Sequence, residues 1–75
     1  MTDHIVDLRG LKCPLPALFS RRALLRAAPG TTLEVLVDDP MAPVDVPFMC
    51  HGEGFEVLEV IREHAATRLR LRRPA

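Results

Sequence analysis

Prolines and glycines set the boundaries within which any helix or strand of this chain has to fit. Seven prolines and four glycines are spread over 75 residues. Proline removes a backbone donor and suits a helix's first turn, while glycine marks turns and helix ends. His4 to Leu8, with the β-branched pair Ile5-Val6, reads as a short strand that Gly10 ends. A helix follows from about Pro14 to Ala28, closed by Pro29-Gly30. Thr31 to Val37 alternates Leu33, Val35 and Val37 against Thr32, Glu34 and Leu36, the pattern of a half-buried strand. Asp38-Asp39-Pro40 stops it, and either aspartate suits the cap of a second helix. That helix spans Met41 to His51 and is irregular at its start, because Pro43 and Pro47 both fall within it. Pro43 fits its first turn; Pro47 predicts that the regular part begins there, with Asp45 as a local cap. Val44, Val46, Phe48 and Met49 supply its apolar contacts. Phe55 to Arg62 and Thr67 to Arg72 are the last two strands, joined by a turn around His64-Ala65-Ala66.

The predicted order is βαβαββ. A strand, crossover helix and next strand are normally parallel with a right-handed crossover, and the final pair closes as an antiparallel hairpin. The result is an α/β two-layer sandwich, a mixed four-stranded sheet with two helices on one face. Residues 1–75 form a single domain near the lower size limit for an unstapled core. One sheet face stays open. On the last strand Leu69 and Leu71 alternate with Arg68, Arg70 and Arg72, giving a core face and a solvated basic face.

Composition narrows the function classes. No segment resembles a membrane span or a signal peptide, and two cysteines are too few for a disulfide scaffold, so the expected compartment is the cytoplasm. A formal net charge of zero and the absence of Trp and Tyr argue against nucleic acid as a direct partner. No histidine spacing resembles a zinc site, and no phosphate-binding loop or nucleophile elbow occurs. The expectation is a monomer with no cofactor and no metal.

The chemistry concentrates at Arg9-Gly10-Leu11-Lys12-Cys13-Pro14-Leu15-Pro16. Cys13 falls at or beside the N-cap of the first helix, where the positive end of the helix macrodipole stabilises an anion. A thiolate, the reactive form, is expected to form more easily there than in a free cysteine. The amides of Leu15 and Ala17 are the ones free to face the sulfur, because Pro14 and Pro16 have none, and Arg9 and Lys12 add positive charge. Cys-Pro alone also fits a small buried hydrophobe followed by ordinary helix punctuation.

The Cys13-Pro14-Leu15-Pro16 run resembles the CPxP signature of the TusA-like sulfur-carrier family. The likeness extends through Pro29-Gly30, Asp38-Asp39-Pro40 and Asp45-Val46-Pro47 leading into Cys50, in that order over nearly the whole chain. It implies the same two-layer fold and a sulfurtransferase role. Cys13 would accept sulfane sulfur as a persulfide from a cysteine desulfurase or rhodanese-like protein. It would then relay that sulfur to an acceptor protein's reactive cysteine, in tRNA thiolation, molybdenum cofactor maturation or sulfur oxidation. A lowered thiol pKa suffices for such a carrier, and no base for Cys13 is evident in the sequence. Pro14 and Pro16 would stiffen the turn and Gly10 would allow a partner's close approach. Arg9, Lys12, Arg21 and Arg22 would favour an anionic persulfide or an acidic partner surface.

The remaining residues leave alternatives open. Ala17, Ser20, Ala23, Leu24, Ala27 and Ala28 share the face of the first helix suited to the sheet, with Arg21, Arg22 and Arg26 opposite. Leu15, Leu18 and Leu25 fall among the arginines. They either tuck into the core edge or form, with those arginines, a docking surface beside Cys13. Asp38 and Asp39 read as structural, since adjacent carboxylates point apart. Cys50 lies on an apolar segment and reads as a buried structural thiol; neighbours on a helix point about 100° apart, so His51 is not placed to activate it. Two rival functions are a non-catalytic interaction or regulatory module and a small RNA-binding domain using the open sheet and its arginines.

Overall fold

The structure, a computed structural model, describes residues 2–75. Its element order is β1 (His4–Asp7), α1 (Leu15–Arg26), β2 (Thr32–Val37), α2 (Ala42–Glu53), β3 (Glu56–Arg62) and β4 (Thr67–Arg72). This is the predicted βαβαββ order, with boundaries within about two residues of those expected. The sheet runs β1-β2-β4-β3. β1 and β2 are parallel, and β4 is antiparallel to both β2 and β3. β4 therefore lies between the two strands that each precede or follow a crossover helix.

Burial follows the pleat. On β2, Leu33, Val35 and Val37 are fully or almost fully buried, opposite Leu71 and Leu69 of β4. Leu24 and Ser20 of α1 and Ala42, Val46 and Cys50 of α2 cover them, so the core lies between the helices and the two central strands. These buried aliphatic groups dominate the stabilisation, each contributing on the order of 1.5–3 kcal/mol on removal from water. α1 ends at Arg26 rather than Ala28. Ala27 is already extended at φ −78 and ψ 153, two residues ahead of Pro29. The guanidinium of Arg73 donates to the carbonyls of Leu25 and Ala27, capping helix carbonyls that would otherwise lack partners.

Two sequence readings are corrected here. α2 is continuous through Pro47, so Asp45 lies in its first turn and is no cap; the cap residue is Met41. Val44 and Phe48 do not pack inward: Phe48 is 81% exposed, and only Val46 is buried while Met49 packs at the edge of the core. The spacing Met41, Val44, Phe48 places all three on the outward side of the helix, where each is exposed.

The open sheet face also differs from the expected basic row. Arg72 pairs with Glu56, Arg70 with Glu59 at 2.9 Å, and Arg68 with Glu63 at 2.9 Å and Glu34 at 3.8 Å. Register places Arg72 opposite Glu56 and Arg70 opposite Glu59 and Glu34, while Arg68 reaches Glu34 diagonally and Glu63 just beyond β3, so the face is a ladder of paired charges.

Candidate functional site

Cys13 is exposed, immediately before Pro14, the cap residue of α1. The peptide bond between them is cis. Three residues upstream, Gly10 has φ +86, in the left-handed region that glycine adopts without strain. No atom lies close to where its side chain would begin, so the backbone turn is what requires glycine here. The Gly10 N–H donates to Asp38 Oδ1 at 2.9 Å, tying the loop before α1 to the loop before α2. Asp39 Oδ2 accepts from the Met41 N–H at 3.0 Å and steadies the entry to α2. Both aspartates are thus engaged by backbone amides. Lys12, Asp38 and Asp39 line one shallow cleft beside the thiol, with Gly10, Leu11 and Pro40.

The environment of the sulfur is the main departure from the sequence reading. The Leu15 N–H donates to the Lys12 carbonyl at 2.8 Å and is not free to face the thiol. The thiol instead donates to Asp45 Oδ2 at 2.8 Å. That hydrogen bond, then desolvation and the negative charges of Asp45 and Asp39, push the Cys13 pKa up from its ordinary value of 9.0. The expected lowering by the helix end is overturned, because an accepting carboxylate favours the protonated form. The sequence showed no such hydrogen-bond acceptor for the sulfur. Asp45 stands 32 positions away, and only the packing of α2 beside α1 brings it to the sulfur. Its signal in the sequence was a lone acidic residue in an otherwise apolar helical segment, read there as a cap.

The basic residues divide. Arg9 turns back to Asp7, with contacts of 2.8 and 3.0 Å, and holds that carboxyl down at about 2 from 3.8. Arg21 pairs with Glu53 of α2 at 3.0 Å. Among the described residues, Lys12 and Arg22 form no ion pair. Pro16 is buried and anchors the first turn of α1, while Leu15 and Leu18 are exposed at 40% and 55%. Leu25 is exposed as well, so none of the three leucines tucks into the core.

Cys50 is completely buried, and burial pushes its thiol up to about 11. His51 beside it is exposed, so the two do not interact as a pair. Both cysteines are free thiols. Among the described residues no cluster of His, Cys, Asp or Glu has the arrangement of a metal site. Among the described residues no helix is long and apolar enough to cross a membrane.

The fold and site define a class: a small two-layer α/β protein that presents one reachable thiol at the start of its first helix. Residues 4–73 match the family described as sulfurtransferase TusA, and the chain belongs to that family. Membership gives it a sulfur-carrier or sulfurtransferase role in general terms, exercised with sulfur donors and acceptors. The fold is similar to the crystal structure of a SirA-like protein from Desulfitobacterium hafniense. The TM-score is 0.81 at 22% identity, over 96% of this chain and 99% of that one.

Proposed function

We propose that Cys13 carries sulfane sulfur as a persulfide, accepting it from a donor protein and passing it to the cysteine of an acceptor. The observation that supports this most directly is the contrast in access between two thiols: Cys13 is exposed and Cys50 is completely buried. Donors of the cysteine desulfurase or rhodanese type suit the reading, and so do acceptors in tRNA thiolation, molybdenum cofactor maturation or sulfur oxidation. The proposed setting is cytoplasmic. Exposed Leu15 and Leu18 beside Lys12 and Arg22 suit a partner surface that is apolar with acidic groups. An RNA-binding role loses its main support, because the arginines of β4 are paired with carboxylates.

Intact-mass spectrometry after incubation with a cysteine desulfurase and cysteine tests the proposal. The expected result is a reductant-sensitive gain of one sulfur that maps to Cys13 and is absent in Cys13→Ser. A gain that maps to Cys50, or persists in Cys13→Ser, contradicts it.

A further inference from the structure

The Cys13 thiol and the Asp45 carboxylate are 2.8 Å apart, and Asp45 makes no other side-chain hydrogen bond among the described residues. It is half-buried in the first turn of α2. Asp38 and Asp39, the acidic neighbours in the preceding loop, are instead occupied by the amides of Gly10 and Met41. Three carboxylates thus stand near one edge of the molecule, two of them fastening loops and one meeting the sulfur.

We infer that Asp45 is a catalytic residue that takes the proton from Cys13 when the sulfur attacks and returns one when the sulfur leaves. The assignment rests on Cys13 being the sulfur-bearing thiol. In loading, Cys13 Sγ attacks the outer sulfur of a donor persulfide, R–S–SH. A Cys13 Sγ–S bond forms, and the donor's S–S bond breaks with its electron pair going to the inner sulfur, which leaves as R–S⁻. The Cys13 proton passes to Asp45 and then to the departing R–S⁻, giving R–SH and Cys13-S-SH. Unloading runs in the same sense: the acceptor sulfur attacks the outer sulfur, its S–S bond forms as the Cys13 Sγ–S bond breaks with the electron pair going to Cys13, and Asp45 takes the acceptor's proton and delivers it to Cys13 Sγ. A neutral sulfur atom is exchanged in each step, so no outside oxidant or reductant is needed.

A carboxylate in this position has two effects with opposite consequences for rate. It disfavours the free thiolate, which slows attack at high pH. It also accepts the proton within the encounter, which permits attack at a pH where free thiolate is scarce. A thiol beside a carboxylate and a thiolate beside a carboxylic acid hold the same number of protons, so the proton moves between the two groups without exchange with solvent. The rate of attack then varies little with pH as long as one proton stays on the pair. The groups facing the pair are few. Asp39, in the loop before α2, acts on the thiol through its charge, Lys12 directly precedes Cys13 in the chain, and Asp38 lines the adjoining cleft with both of them. The first turn of α1 carries no charge, and the next titratable residues on α2 are the completely buried Cys50 and the exposed His51, between one and two turns on.

The pH dependence of Cys13 alkylation by iodoacetamide, with the product located by mass spectrometry, reads this directly. The full-length wild-type chain is expected to show a plateau at mildly acidic to neutral pH and a second rise at alkaline pH. Asp45→Asn is expected to show a single rise. At pH 6 it should be slower by roughly 10-fold or more, toward the low end of what a positioned general base contributes. Above the thiol ionisation it should equal or exceed wild type. A single ionisation in wild type, with Asp45→Asn faster at every pH, overturns the inference and leaves Asp45 a group that only suppresses the thiolate. If Asp45→Asn does not fold by circular dichroism, Asp45→Ser carries the same test. Loading from glutathione persulfide separates this inference from the carrier reading. A wild type with the plateau that takes up no sulfur counts against the carrier reading alone. A wild type that loads no faster than Asp45→Asn at any pH counts against the role of Asp45 alone.

Discussion

The two cysteines of this protein are both held protonated, for unrelated reasons. Cys50 is raised by burial: a thiolate in the core would lose its hydration and gain no partner. Cys13 is exposed and is raised first by a hydrogen bond to Asp45. A thiol raised by burial stays inert in the folded state, since nothing near it takes the proton. One raised by a neighbouring carboxylate has a proton acceptor in contact. A shift in one direction therefore describes a structural group in one place and a chemical group in the other.

The largest effect that sharpens this contrast is expected from Cys13→Ser, which should abolish sulfur loading. Its stability should stay within about 0.5 kcal/mol of wild type, as for an ordinary surface substitution. Cys50→Ser is expected to do the reverse. It places a hydroxyl among apolar side chains, should cost about 1–3 kcal/mol in urea unfolding, and should leave sulfur loading intact. Equal loss of loading in both variants would erase the distinction.

The pH dependence of stability comes next. Between pH 9 and about 11 the unfolded chain loses its Cys50 proton while the folded chain keeps it, so stability falls as pH rises through that window. Cys13 adds a fall of the same sign. Cys50→Ala should flatten the Cys50 part and Cys13→Ser the remainder, as read by denaturant midpoints at stepped pH. The smallest effect concerns a position away from both thiols. Arg73→Ala removes two hydrogen bonds to the carbonyls ending α1 and should cost about 1 kcal/mol, with the alkylation rate of Cys13 unchanged.

The fold was legible in the sequence because its signals are local. Leu33, Val35 and Val37 alternate, Pro29-Gly30 stops a helix, and Leu69 and Leu71 face one way while arginines face the other. Cys13 stood out for the same reason, through its neighbours Pro14 and Pro16. What failed depended on distant chain segments. The partner of the sulfur is 32 residues off, and the carboxylates that neutralise Arg68, Arg70 and Arg72 come from β2, from β3 and from Glu63 just beyond it. Helix-end electrostatics predicted a lowered thiol, but a carboxylate in direct contact outweighs a macrodipole that acts through partial charges. Pro47 misled in another way. Packing of Val46 and Cys50 into the core carries α2 through a residue that propensity alone would use to interrupt it.

The tie between Gly10 and Asp38 joins the loop that carries Cys13 to the loop that leads into the helix carrying Asp45. A growing polypeptide has Cys13 long before it has Asp45, and domains generally fold as units once enough chain is available. During synthesis, the cysteine is an ordinary thiol, with its ordinary acidity, until β4 has closed the sheet and α2 has docked beside α1. Its contact with Asp45 appears at the moment of folding, so the acidity of this one sulfur serves as a timestamp for the folding of the whole domain.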